Sequence, residues 1–566
     1  MTQSCIGQFI FKHSIHRIGM GVFCTVATLL LIILAIMVAK VNSMRPNIVL
    51  IVADDMGWDD VSFHGSDQTL TPNIDLLAYT GVALERHYGH CVCTPSRAAL
   101  LTGKYAHTLG MHGYPLTNGE DRGLPLTEKI LPEYLKQLGY ATHLVGKWHI
   151  GQSRTAYLPT SRGFDSHFGY RGGYVDYYEY MNEETWSLGQ VSGFDLYRNL
   201  SAAWDVEGYI TDVFTDEAKH IIRKHDESKP LFLMLSHTAP HGSLDGFLLQ
   251  APPDVVRSFR HIESPERRMF AAMIKKLDDS VGDVIETLSR KKMLENTIIV
   301  FMSDNGGMPF GRSINYASNW PLRGTKFTPF EGGVRTVALL WTPTLASNSN
   351  HLWKGNMHII DWIPTLFGAI GADPPSNIDG VNLWDDIVLN QNSRRDTFFE
   401  IYTYPETSFS AVVSGDYKLV TGNVTIDYSD HYSGNSRGII GLGPSYIEAI
   451  KISKMYSVLD KLKKSFPIEE INLRDNIRVD CKADSLVKLC YSYGHNVCLF
   501  DIKNDPCETR DLSVTMPDVV ERLQDILKAE MNRVVDRPNP LFRDPRALPS
   551  LHNYTWATWA DHVIVT

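Results

Sequence analysis

The chain has 566 residues, of which 43% are hydrophobic and 21% charged, an ordinary globular composition with length for one large domain and a smaller one. A formal net charge of −10 lacks the basic footprint of a nucleic-acid binder, so no nucleic-acid partner is expected. It also means that an anionic substrate must be held by a local basic pocket.

At the N-terminus, Ile18 to Ala39 is apolar apart from a few small residues and is long enough to cross a bilayer as a helix. Lys12 and Arg17 precede it, so the positive-inside rule leaves residues 1–17 in the cytosol and the body lumenal or outside. Val41-Asn42-Ser43 offers small residues for cleavage, and residues 18–40 read as a transmembrane signal anchor or a signal peptide. Either reading sends the chain into the secretory pathway, with the lysosome, the exterior or a membrane-anchored lumenal position as destinations. Glycosylation sequons at Asn199, Asn423 and Asn553 agree with that route. Of eight cysteines, Cys481, Cys490, Cys498 and Cys507 cluster near the C-terminus and predict one or two local disulfides. Cys91 has no obvious partner, and no zinc spacing accompanies these residues.

From about residue 45 to 400, short apolar runs alternate with helical stretches, which predicts an α/β domain with a mostly parallel sheet covered by helices. The clearest helix is Pro265 to Arg290, with Ser264 as N-cap and Phe270, Met273, Leu277, Val281, Val284 and Leu288 on one apolar face. Residues 401–566 read as a smaller α+β C-terminal domain, with strand-like runs at Ala411–Val413 and Tyr417–Val420 and a helix near Met516 to Met531. Arg537 to Pro549 is Pro-rich and predicts an extended surface tail.

Several buried-looking strands end in reactive groups. Asn47 to Ala53 ends in Asp54-Asp55, Thr297 to Met302 in Ser303-Asp304-Asn305, Ala141 to Val145 in Gly146-Lys147-Trp148-His149, and Pro230 to Leu235 in Ser236-His237-Thr238-Ala239-Pro240-His241. In an open parallel sheet such ends share one crevice. Adjacent carboxylates repel, and a divalent cation relieves the repulsion. The all-oxygen set favours calcium, with magnesium as the alternative, over zinc. With such a cation, three aspartates and the cations Arg97, Lys147 and Lys326 leave the site positive, which suits a sulfate monoester.

Cys93-Thr94-Pro95-Ser96-Arg97, followed by the helical run Ala98 to Lys104, resembles the signature of type I sulfatases. Met44 to Asp60, Thr71 to Asp75, Gly146 to His149, Ala239 to His241, Ser303 to Gly307 and Gly324 to Arg335 resemble that family's other blocks in the same order. Arg162 to Tyr170, Asn319 to Gly324 and Leu499 to Asp505 are similar to arylsulfatase B, an N-acetylgalactosamine-4-sulfatase, and its near relatives. The resemblance implies an alkaline-phosphatase-like large domain with a smaller C-terminal domain carrying an antiparallel sheet. It implies that Cys93 is converted to formylglycine by a formylglycine-generating enzyme, the hydrated aldehyde being the nucleophile. It further implies one calcium held by Asp54, Asp55, Asp304, Asn305 and the modified Cys93. Arg97 then holds the hydrate, and Lys147, His149 and Lys326 contact sulfate. His241 protonates the leaving alcohol, with His237 its rival. The implied substrate is a sulfated carbohydrate or aryl sulfate, N-acetylgalactosamine 4-sulfate by analogy. Two other readings are a phosphatase or phosphonate hydrolase of the same superfold and a membrane-tethered pseudosulfatase that binds sulfated glycans. Most cysteines typical of arylsulfatase B-like enzymes are absent, and the apolar N-terminal segment is long for a lysosomal precursor, which leaves substrate and compartment open.

Overall fold

Every residue of Asn47–Ala53 is buried, and this strand, β1, lies inside a ten-stranded sheet in the computed structural model. The structure describes residues 45–561 apart from 188, 245–247, 312–313, 346–351, 405–406, 424–444, 463–473, 475–476, 480, 482–496 and 538–541. The predicted anchor or signal segment therefore lies outside the described residues, as do Cys5, Cys24 and Cys490. Among the described residues no helix is long and apolar enough to cross a membrane.

The remaining strands are β2 Val82–Tyr88, β3 Ala141–Gly146, β4 Ser166–Gly169, β5 Met181–Trp186, β6 Gly189–Phe194, β7 Tyr197–Arg198, β8 Ser201–Ala202, β9 Leu231–Ser236, β10 Thr297–Ser303, β11 Ala338–Trp341 and β12 Leu352–His358. After them come β13 Thr397–Tyr404, β14 Thr407–Ser414, β15 Tyr417–Asn423 and β16 Val497–Asp501. The large sheet runs β12-β2-β11-β10-β1-β9-β3-β4-β7-β8, and β5 and β6 form a separate hairpin. The segment β10-β1-β9-β3-β4 is parallel throughout, whereas β11 is antiparallel to both neighbours. The β1 side chains explain why that strand reads as a continuous apolar run. Ile48, Leu50 and Val52 enter one core, and Val49, Ile51 and Ala53 enter the core on the opposite face.

The long helix forms over Pro265–Arg290, and Ser264 Oγ accepts from Arg267 N at 3.1 Å. All six apolar residues of its predicted face are buried in the second core. Its Asp278 reaches the helix Pro72–Thr80, where Oδ1 accepts from Asn73 N at 3.0 Å and Ile74 N at 2.9 Å. That carboxylate supplies the N-terminal cap that Thr71, which makes no side-chain cap bond, does not.

Strands β13-β14-β15-β16 form a four-stranded antiparallel sheet. It shares the first core with the main sheet and is covered by the helix Pro517–Met531. Helices Tyr446–Ile452 and Lys454–Lys461 bury Ile450, Met455 and Val458 in the other core. Chain following β15 thus contributes to both cores. Between Arg537 and Pro549 the described residues depart from the predicted extended tail. Asp544 caps a short turn at Pro545–Ala547, a second turn spans Pro549–Leu551, and Trp556 and Trp559 are buried with Trp186 and Ala547. Proline fits the first position of such a turn, and the tryptophans beyond supply apolar surface to bury.

Candidate active site

Four strands of the large sheet end together. Ala53 pairs with Ser303 across β1 and β10, Val52 with Ser236 across β1 and β9, and Gly146 with Ser236 across β3 and β9. Asp54 and Asp55, Asp304 and Asn305, Lys147 to His149 and His237 to His241 follow directly and converge as the sequence predicts. Asp54 N donates to Ala239 O at 3.1 Å, Asp304 N to Ala53 O at 3.1 Å, and Lys147 N to Ser236 O at 2.8 Å. The last approach requires Gly146, where φ is +105° and a Cβ would lie 1.8 Å from Ser236 O. Asp55 and His149 themselves hold left-handed backbone, with φ of +63° and +62°, a strained conformation that clusters at functional sites.

Cys93 opens the helix Cys93–Thr102, with extended Val92 as N-cap. The thiol is buried and free of any disulfide. Ser96 Oγ accepts from His90 N at 2.9 Å and so folds the preceding turn onto the helix. One helical turn on, Arg97 Nε and Nη2 lie 3.0 and 2.8 Å from Asp304 Oδ2, and Nη1 donates to Ser236 Oγ at 2.6 Å. Burial pushes the Cys93 thiol up, against the pull of Lys147 and Lys326. The pocket thus disfavours a thiolate, the species an unmodified cysteine needs for attack.

The carboxylates are interleaved with cations. Lys147 Nζ lies 2.7 Å from Asp54 Oδ2, and Lys326 Nζ lies 2.7 Å from Asp55. Burial, reinforced by Asp304, raises Asp54 to about 7 despite Lys147. Burial acts on Asp55 too, but Lys326 and His241 hold its carboxyl well below the usual range. Asn305 Nδ2 donates to Asp55 Oδ1 at 2.7 Å, and Asp304 Oδ1 accepts from Asp55 N at 3.3 Å. Asp54 Oδ1 and Asn305 Oδ1 are buried with no hydrogen-bond partner. Two orphaned oxygen acceptors beside three buried aspartates are what a hard divalent cation satisfies, and the donor set fits calcium. Ligand atoms of Asp54, Asp55 and His241 already lie within 4.8 Å of one another.

His149 Nε2 donates to Leu116 O at 2.9 Å, and its buried Nδ1 has no partner. Burial first, then Lys147, keeps this imidazole neutral. His241 Nδ1 donates to Gly242 O at 2.5 Å, which turns Nε2 toward Lys326 Nζ at 3.2 Å and Asp55 Oδ2 at 3.3 Å. Burial lowers His241 to about 3, although Asp55 pulls the other way. His237 instead pairs Nε2 with Ser280 Oγ of the long helix at 2.9 Å, so the two histidines of that segment face different surroundings. Every predicted site side chain except the glycosylation set is thus at this crevice. Sequence reasoning assigned no role to three further residues. Ser236 binds Arg97, Asn315 Nδ2 donates to Asp55 O at 2.9 Å, and the Tyr174 ring stacks on His241. Asn315 lies between two motif blocks and carries no pattern of its own. Ser236 could have been found from its place at the end of β9.

Asn199, Asn423 and Asn553 are all exposed. Cys481 is bonded to Cys507, Cys498 is also disulfide-bonded, and Cys91 is buried and free.

Comparison with known proteins agrees with this geometry. The sulfatase family model matches residues 46–372. Arylsulfatase J of Mus musculus is 34% identical over 536 residues, covering 91% of this chain and 80% of the relative. N-acetylgalactosamine-6-sulfatase of the same species is 31% identical, over 70% of this chain and 76% of its own. The solved structure of Ps i-CgsB in complex with k-i-k-neocarrahexaose superposes with a TM-score of 0.67 at 26% identity, covering 87% of this chain and 94% of that one.

Proposed function

The chain belongs to the sulfatase family and is a sulfuric ester hydrolase, and on that premise we propose that it removes ester sulfate from a sulfated amino sugar of a glycosaminoglycan. A relative named for N-acetylgalactosamine 6-sulfate supports the sugar class. The 4-position rests only on the resemblance of Arg162 to Tyr170, Asn319 to Gly324 and Leu499 to Asp505 to arylsulfatase B-like sequences.

The observation that carries the reading is the meeting of a free, buried Cys93 with Arg97, Lys147, Lys326 and His241 over three carboxylates. Asp54, Asp55, Asp304 and Asn305, with the residue at 93, would hold calcium, which draws charge from the sulfate oxygens when bound. Formylglycine at Cys93 would supply a geminal diol, one hydroxyl for attack and one for release of sulfate. The chain's own residues do the rest. Arg97, fixed by Asp304 and Ser236, orients the group at position 93. Lys147 and Lys326 bind the sulfate oxygens, and their charge is worth most in this water-poor crevice. His149 Nδ1 accepts a proton on the sulfate side. His241 Nε2 delivers one to the departing alcohol oxygen, and the arriving anion favours the protonated ring that burial otherwise disfavours.

The exposed sequon asparagines and the Cys481–Cys507 disulfide support passage through an oxidising, glycosylating compartment. A formylglycine-generating enzyme is the biosynthetic partner this reading requires. Membrane attachment through residues 18–39 is the companion proposal if that segment is retained.

The test is peptide mass spectrometry across Cys93 on protein from a secretory host, with turnover of aryl sulfate, aryl phosphate and N-acetylgalactosamine 4- and 6-sulfates. A mass about 18 Da below the thiol form, trapped by an aldehyde reagent, with chelator-sensitive sulfate release, is expected for a calcium-supported formylglycine. An intact thiol in cells that modify other sulfatases, with no turnover, points to the glycan-binding pseudoenzyme. Preferred phosphate release points to a phosphatase.

A further inference from the structure

The segment after β4 reads Tyr170-Arg171-Gly172-Gly173-Tyr174, and it touches both site histidines. A Cβ on Gly173 would lie 3.1 Å from Cε1 and Nε2 of His149, so bare backbone lies against that ring. The Tyr174 ring stacks on His241 with centroids 5.8 Å apart and planes 9° from parallel. Farther along, Tyr177 Oη donates to His241 O at 2.9 Å.

The far side of the loop is tied down. Asp195 accepts from Arg171 N at 3.1 Å and Gly172 N at 2.8 Å. Asn182 Nδ2 donates to Tyr174 O at 2.5 Å, and Tyr174 Oη donates to Glu183 O. Asn182 is itself held, since its Oδ1 accepts from Asn118 Nδ2 at 2.8 Å and its O from Trp556 Nε1 at 3.1 Å. Side chains and main chain thus fix this loop from behind while its front bears on two imidazoles.

We propose that the Gly172–Tyr174 loop is the positioning element of the reaction: Gly173 sets the His149 ring, and Tyr174 is a positioning residue that aims His241 at the leaving oxygen. This rests on the proposed sulfatase chemistry. With Nδ1–H held by Gly242 O, Nε2 is the nitrogen that can carry a transferable proton. As the sulfur–oxygen ester bond breaks, its electron pair stays on the alcohol oxygen, which takes that proton. A ring free to tilt misses that oxygen, and a misplacement of about 1 Å costs on the order of a hundredfold in rate. The Tyr174 hydroxyl is engaged by Glu183 O, so the ring and not the phenol acts.

The experiment compares Tyr174→Leu, Tyr174→Phe and Gly173→Ala on an alkyl sugar sulfate and on 4-nitrocatechol sulfate, whose leaving group needs little protonation. Tyr174→Leu should lose roughly tenfold or more in kcat on the alkyl ester and at most about threefold on the aryl ester, in line with a partly lost general acid. Tyr174→Phe, which keeps the stack, should restore the parent's ratio between the two substrates. Gly173→Ala should reduce both substrates alike, because His149 faces the sulfate. Equal losses for Tyr174→Leu on both esters would overturn the proposal. So would a crystal structure of that variant with His241 unmoved. That structure is independent of turnover. A parent inactive on both esters, with His241 displaced in Tyr174→Leu, would sink the proposed function and keep the contact between loop and ring.

Discussion

His241 shows how little of a residue's chemistry lies in its own identity. His237 and His241 follow the same strand, yet one is bound to Ser280 in the core and the other faces Asp55 and Lys326. His241→Ala should therefore lower kcat on an alkyl sulfate by about 10²–10⁴, the usual worth of a general acid, and lower it far less on an aryl sulfate. Steady-state rates on the two esters check this, and identical losses would remove His241 from that role. At this scale the sequence is most informative where one residue type has one use. Asp54, Asp55, Asp304 and Lys147 were legible because they directly follow buried strands whose ends share one crevice, whereas Lys326 was legible only through the resemblance of Gly324 to Arg335 to a sulfatase block. Tyr174 was not, because an aromatic residue among Gly and Tyr reads as packing, and its partner lies 67 positions away.

Among elements, the helix Pro265–Arg290 was readable to its ends because its periodicity and its Ser264 cap are local. Its second task was hidden. Asp278 lies outside the apolar face and has no local signal, yet it caps the helix Pro72–Thr80 with bonds to Asn73 and Ile74, 205 and 204 positions away. Asp278→Ala should cost about 2–4 kcal/mol in urea unfolding, since two helix N–H groups and the Asn73 amide lose a buried acceptor. Burial pushes Asp278 up to about 8 from an ordinary 3.8. A raised folded value means a stability contribution present in full below the unfolded value and lost as pH rises through the folded one. Asp278→Asn should flatten that part of the fall in stability between roughly pH 4 and 8. An unchanged slope in melting temperature against pH would contradict it. The crossing order of strands, by contrast, was out of reach from sequence. Nothing local in Ala338–Trp341 announces that it runs antiparallel between two neighbours.

In the whole molecule, the small sheet braces the site. Lys418 on β15 is buried between Glu331 at 3.0 Å and Glu508 at 2.9 Å. Glu331 begins a turn in which Gly333 O accepts from Gly306 N at 3.0 Å, directly beyond Asp304 and Asn305. Lys418→Met should destabilise by about 3–5 kcal/mol, because buried Glu508 loses its lysine partner, while Glu331 keeps Arg335 at 3.6 Å and the Tyr88 hydroxyl at 3.0 Å. Chemical denaturation measures this, and a loss near zero would mean that the network is not stabilising. The smaller sheet was legible in the change of pattern near residue 400. The sharing of one core by both sheets was not, because apolar side chains do not specify partners.

The bond from Trp556 to Asn182 carries a consequence for proteolysis. Asn182 steadies the loop against which both histidines rest, whereas among the described residues the two main cores draw on none beyond Leu527. A protein clipped between Leu527 and Trp556 would therefore be folded in its centre yet poorly aimed in its chemistry.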